Sequence, residues 1–198
     1  MQNLSEQEIQ RRQEKESLEQ MGINPYPSGT YEVTHYADEI KENFDAKPDL
    51  FKEVILAGRL MSRRIMGSAS FAELQDSSGR IQIYVARDEV CPGEDKSLYN
   101  TVFKKVLSIG DFIGVKGYVF KTQVGEISVH VTGFTVLSKA LKPLPLPKTD
   151  AEGKVHDAFT DPEQRYRQRY VDLVVNPQVK DAFVKRTQLV NSMRNYLA

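Results

Sequence analysis

A mainly β fold with flanking helices, built on a five-stranded barrel, is what this 198-residue sequence predicts. Three observations predict it. Between Glu53 and Ser138 the hydrophobic period changes from helical to alternating, five alternating segments can be marked there, and one amphipathic segment interrupts them between the third and fourth.

Each element has its own reason. From Ser5 to Met21 helix formers dominate, Ser5 and Glu8 stand at capping-box spacing, and Gly22 supplies the stop. The apolar positions Leu4, Ile9, Leu18 and Met21 are too few for a broad buried stripe, so a largely solvated helix leaning on the body is expected. Contact with RNA through Arg11, Arg12 and Lys15 is the weaker reading, because Glu14, Glu16 and Glu19 offset those charges. The turn-rich INPYPSGTYEVTH and a short helix in YADEIKENFD lead to the first strand. Strands follow at Glu53–Met61, Ala69–Gln75 and Arg80–Ala86, the last two forming a hairpin across DSSGR. An amphipathic helix is predicted over Ser97–Ile109, then strands at Asp111–Phe120 and Glu126–Leu137 around KTQVG. Gly58, Gly114 and Gly117 fall where tightly curved strands bend. Three strands, a helix and two strands in this order is the pattern of an OB-fold barrel, with a split sandwich carrying a helical insert as the alternative.

The domain boundaries follow. Residues 1–52 form an N-terminal helical extension and 53–138 the barrel. Residues 139–160 are a linker, stiffened by the prolines of KPLPLPK, and 161–198 begin a second domain. There Val179, Phe183, Val184, Val190, Met193 and Leu197 recur at helical spacing with nothing after them to pack on, which suggests a chain cut inside that domain.

Composition excludes several classes. Twenty-seven basic and twenty-seven acidic residues leave no net charge, so any nucleic-acid contact has to be local. A lone Cys91 and three scattered histidines, His35, His130 and His156, argue against disulfides and structural zinc and for a reducing cytoplasm. No stretch approaches the ~20 apolar residues of a membrane span, and the N-terminus lacks a signal-peptide core, so a soluble intracellular protein is expected.

Alternation sorts the strands by face. Ala72, Leu74, Ile81, Ile83, Val85, Ile127, Val129 and Val131 point inward. Phe71, Glu73, Gln75, Arg80, Gln82, Tyr84, Glu126, Ser128 and His130 point outward, with Arg59, Arg63 and Arg64 bordering that surface. An outward Phe71 in line with Gln82 loses stabilisation unless something covers it. Rings for stacking, amide and carboxylate groups for base edges and nearby positive charge suit a single-stranded nucleic acid. The competing reading packs Phe71 and Tyr84 under the LMSRRIMGS loop or another domain; His130 reads as an ordinary surface residue and Cys91 as inert.

The segments AGRLMSRRIMGSASFAELQDSSGRIQIYVARD, GDFIGVKGYVFKTQVGEISVH, and LSKALKPLP followed by RYRQRYVDL closely resemble the N-terminal part of the class II lysyl-tRNA synthetases. The resemblance runs from the first strand to the chain's end. It implies an OB domain that binds the anticodon of a lysine tRNA, followed by a catalytic domain that activates lysine with ATP and Mg2+ in the full-length enzyme. It assigns Phe71 to stacking on the central anticodon base, Gln82 to that base's edge, Arg64 beside it with Arg63 as the fallback, and Glu126 to the same site; Arg59, placed at the border by its strand position, is counted with them. Uracil offers an N3–H between two carbonyls, so a carboxylate accepts from N3 while amide or guanidinium donors satisfy the oxygens; cytosine, with an acceptor at N3, faces that carboxylate badly. FVKRTQLVNSMRNYLA resembles the helix that opens the motif 1 homodimer interface. Nothing resembles motifs 2 and 3, so no catalytic residue is assigned, no cofactor is expected for this chain, and RNA binding without aminoacylation is implied. The rivals are an aspartyl- or asparaginyl-type barrel, a general single-strand-binding OB module, and a protein-interaction module.

Overall fold

The computed structural model describes residues 4–149, 155–156 and 159–197. The chain divides into two compact units, Met1–Pro143 and Leu144–Ala198.

The first unit opens with α1 (Glu6–Gln20), whose capping box is complete: Glu8 N donates to Ser5 Oγ at 3.3 Å, and Ser5 N donates to Glu8 Oε2 at 3.0 Å. The helix leans on the body with most of its residues exposed or half-buried, as expected, and what bolts it down is chiefly charged side chains. Leu18 is fully buried, and Arg11 and Glu14 are nearly so. Arg11 donates to the carbonyls of Ala140 and Ile109 at 3.0 and 2.8 Å, which removes it from any RNA-facing role. Glu14 Oε2 accepts from Ser108 Oγ and from the buried Lys139 Nζ, both at 2.7 Å. Lys139 Nζ also donates to Val106 O at 2.7 Å and Asp111 Oδ2 at 2.8 Å, so every proton of a fully buried ammonium has a partner. A helix with a thin apolar stripe has thus been docked through ions.

Helix α2 (Ala37–Asn43) buries Ala37 and Ile40. A single turn of 3-10 helix at Pro48–Phe51 precedes the first strand. The strands are β1 (Val54–Met66), β2 (Ala69–Gln75), β3 (Arg80–Ala86), β4 (Phe112–Lys121) and β5 (Ile127–Ser138), closed in the order β1-β2-β3-β5-β4. Closure rules out the split sandwich. β1 is longer than alternation predicts because a bulge between Leu60 and Ser62 buries Leu60 and Met61 in succession. Before the bulge β1 pairs with β4, and from Arg59 onward with β2, so one bent strand serves two neighbours. At Gly117 a Cβ would stand 1.9 Å from His130 O, so only glycine permits the β4–β5 approach there.

A short helix α3 (Arg87–Val90) follows β3. The predicted amphipathic helix is present over Leu98–Val106 but is π-helical, with Leu107 N reaching back to Val102 O at 2.9 Å. The wider turn lets Tyr99 and Phe103 stack at 5.9 Å with 7° between their planes. Tyr99 Oη shares a 2.8 Å hydrogen bond with Ser70 Oγ inside the barrel.

In the second unit a two-residue ladder joins β6 (Lys148–Thr149) to β7 (Val155–His156), within the stretch expected to be an extended linker; residues 150–154 and 157–158 of that linker lie outside the described residues. Helices α4 (Pro162–Arg167), α5 (Arg169–Val175) and α6 (Pro177–Leu197) complete it. Asp161 caps α4, accepting from Glu163 N and Gln164 N. Buried Asp172 accepts from Arg165, Arg169 and Asn176; burial pushes its pKa up, but these hydrogen bonds and the two arginine charges outweigh it and hold the carboxyl below its usual range. Arg167 pairs with Glu163, so the RYRQRY arginines are all engaged within the chain. On α6 Val179 is buried, while Phe183, Val184, Met193 and Leu197 are exposed.

Candidate nucleic-acid interface

Strand register builds the site as two parallel rows across the barrel's outer face. In the first row Arg64 on β1 stands opposite Phe71, Phe71 opposite Tyr84, Tyr84 opposite His130, and His130 opposite Tyr118. In the second, Ser62 faces Glu73, Glu73 faces Gln82, Gln82 faces Ser128, and Ser128 faces Phe120. Side chains directly opposite across a ladder lie within contact distance, so from β2 through β3 to β5 the first row is aromatic and the second polar, with Arg64 ending the first and Phe120 the second. Ring centroids confirm the contacts: Phe71 to Tyr84 is 5.1 Å, Tyr84 to His130 5.0 Å, and His130 to Tyr118 4.8 Å at 16°, with Phe120 edge-on to His130 at 5.6 Å.

Gln82 is oriented within its row. Its Nε2 donates to Ser128 Oγ at 2.9 Å, and Ser128, expected to be solvent-facing, is fully buried under this contact. The amide plane is thereby fixed, and its carbonyl oxygen and second N–H are what it can offer to a base edge. Glu126 stands on the tight turn between β4 and β5, where Thr122 N donates to Glu126 O, Glu126 N to Thr122 Oγ1, and Gly125 takes φ +89°.

Two recesses flank Phe71. One of about 530 Å³ is walled by Tyr84, Phe120 and His130; another of about 600 Å³ is walled by Lys41, Glu73 and Glu126. Arg64, Phe71 and Gln82 line both. The structure therefore gathers four of the residues singled out in the sequence, Phe71, Gln82, Arg64 and Glu126, around one groove.

The other two arginines are engaged elsewhere. Arg63 contributes to the wall of the second recess, but its guanidinium donates to the carbonyls of Phe103 and Leu107 at the end of the π-helix. Arg59 donates to Gly110 O at 2.9 Å and lies 4.3 Å over the Phe112 ring, lining neither recess. Burial lowers the pKa of both, the charge of Asp111 opposing it.

Sequence reasoning missed Lys41 and, beside the outward Tyr84 and His130 it did place, the rings of Tyr118 and Phe120. These rings were legible: Tyr118 and Phe120 alternate with inward Val119 in GYVFK and so share the outer face. His130, read as an ordinary surface residue, packs against three rings, Tyr84, Tyr118 and Phe120, and its Nδ1 is buried with no hydrogen-bond partner among the described residues. Lys41 had no signal, because its place depends on how α2 docks. Among the described residues no group of three His, Cys, Asp or Glu side chains is arranged to hold a metal, and no helix is long and apolar enough to cross a membrane.

Residues 54–137 match the model of the tRNA anticodon family of OB-fold nucleic acid binding domains. A lysine–tRNA ligase of Christiangramia forsetii is 63% identical over 196 residues, covering 99% of this chain and 34% of that protein. One of Porphyromonas gingivalis is 63% identical over 194 residues, 98% of this chain and 33% of its own length, and one of Azobacteroides pseudotrichonymphae 57% identical over 193 residues, 98% and 38%. The chain spans about a third of the length of these curated relatives. The barrel thus matches an anticodon-type OB-fold domain, in a chain similar over nearly its whole length to the lysine–tRNA ligases of which it spans about a third.

Proposed function

We propose that the barrel reads the anticodon of a lysine tRNA, with Phe71 stacking on the central uridine and Gln82, Glu126 and Arg64 addressing its edge and flanking phosphates. One observation carries this reading: an aromatic row and a polar row run side by side across the same three strands, with Phe71 and Gln82 shared by two recesses. A stacked base needs both at once, a ring for its face and fixed hydrogen-bonding groups for its edge. Gln82, held by Ser128, and the Glu126 carboxylate complement uracil's alternating acceptor, donor and acceptor.

In this reading the chain is the anticodon-binding part of a cytoplasmic ligase that joins lysine to its tRNA. ATP, magnesium and lysine would be handled by the portion of the relatives that this chain does not span. The exposed apolar positions on α6, with its motif 1-like wording, support pairing with a second copy in the longer protein. The chain by itself would bind RNA without aminoacylating it.

The test is binding of this chain to an anticodon stem-loop bearing UUU beside one bearing UCU, at one fixed salt concentration because phosphate contacts alone mimic affinity. A preference for UUU is expected. Equal binding would replace the reading with a sequence-tolerant single-strand binder, and no binding to either would favour a protein partner for the groove.

A further inference from the structure

We propose that α2 is part of the base-reading site, with Lys41 as the residue that positions the Glu126 carboxylate and offsets its charge beside RNA. This inference rests on the anticodon reading of the barrel. Lys41 Nζ stands 3.7 Å from Glu126 Oε1 and shares the wall of the recess that Phe71, Gln82 and Glu126 line. A carboxylate that accepts from a base N–H has to sit near a polyanion, and it has to hold one direction although its side chain springs from an exposed turn. A cation across the recess answers both needs. At 3.7 Å it holds the carboxylate without consuming its acceptor capacity, since an ionised carboxylate offers about four lone-pair sites.

The placement of Lys41 is built into the fold. The N-terminal end of α2 is tied to the β2–β3 turn, where Ala37 N donates to Asp76 Oδ2 at 2.7 Å and Asp38 N to Ser78 Oγ at 3.1 Å. Just past its other end Lys121 Nζ grips Asp45 at 2.7 and 2.9 Å. Fully buried Ala37 and Ile40 seat the helix between these ties. The helix is therefore fixed to both hairpins that frame the groove, and Lys41, next to buried Ile40, is delivered to its rim. Of the other charges that line the recess, Glu73 pairs with Arg80 at 3.2 Å and the guanidinium of Arg63 is bonded to helix-end carbonyls, while Arg64 stands beside Phe71 and is assigned to flanking phosphate.

The experiment is a double-mutant cycle on this chain with Lys41→Met, Glu126→Gln and both together, each bound to the UUU and UCU stem-loops at fixed salt. Lys41→Met is expected to lower the UUU-over-UCU preference about two- to five-fold, the range of a half-exposed ion pair. Lys41→Arg should restore it. In the Glu126→Gln background the same change should leave the preference where it was, because there is no longer a carboxylate to position. Equal loss for both loops, an effect that adds independently to that of Glu126→Gln, or no effect at all would overturn the proposal. If the unaltered chain shows no preference for UUU, the anticodon reading itself fails and this inference falls with it. That result is distinct from a preference that survives Lys41→Met. Melting of each variant should be unchanged, since the ties that hold α2 do not use Lys41.

Discussion

Two regions of the first unit are rich in charged and polar side chains and use them in opposite ways. At the seam between α1 and the barrel, Lys139, Glu14, Asp111 and Arg11 close on one another and on backbone carbonyls. Across the outer face of β2, β3 and β5, the same kinds of group line open recesses. Residue type does not separate the two regions. What separates them is burial: the seam's groups are closed off from solvent against one another, while those of the outer face border open recesses, which makes one region a fastening and, in the anticodon reading, the other a receptor.

The sharpest way to break the comparison is Lys139→Met. It leaves two carboxylates facing each other without their cation, and unfolding by denaturant should show a loss of about 3–5 kcal/mol, while molecules that remain folded keep their preference for UUU. An altered preference with unchanged stability would show that the seam also serves recognition. Next, Phe71→Ala should weaken RNA binding by about 1–3 kcal/mol, the worth of one stacked base, with little change in melting because the ring lies outside the core. A variant that unfolds would place Phe71 with the fastenings. The smallest effect comes from two arginines on the same strand. Arg64→Ala should lower the slope of log affinity against log salt by about 0.7, as for one lost single-strand phosphate contact. Arg59→Met should leave that slope untouched and cost about 1 kcal/mol of stability through its lost hydrogen bond and ring contact. Equal slopes for the two variants would erase the distinction drawn between them.

These contrasts explain what the sequence disclosed. The strands of the β2–β3 hairpin were legible to the residue because alternation is a local property, and the same alternation put Phe71 and Gln82 on the outer face. β1 was cut short at Met61 because its bulge buries two consecutive residues, and a period-two pattern breaks there even though the strand continues. The helix over Leu98–Val106 was found, but its π winding was not, since Tyr99, Phe103, Val102 and Val106 satisfy an ordinary helical stripe equally well. For the arginines, the chain order disclosed proximity without destination. Arg59, Arg63 and Arg64 are near neighbours in the chain, yet which guanidinium meets a carbonyl of the Phe103–Gly110 segment depends on where a distant helix ends. Lys41 is the extreme case, placed in the groove by contacts of Ala37 and Asp38 with the β2–β3 turn and of Asp45 with the end of β4.

The parallel pairing of β3 with β5 is the ladder that closes the barrel, and it is also the ladder that sets Tyr84 against His130 and Gln82 against Ser128. A ligand laid along those rows spans the closing seam from outside, like a strap over the last stave. Because only the closed barrel presents both rows, binding and closure are thermodynamically linked. In the anticodon reading, a strand of RNA at a hundredfold excess over its Kd would add about 2.7 kcal/mol to the barrel's stability, so the molecule being read would also help hold its reader shut.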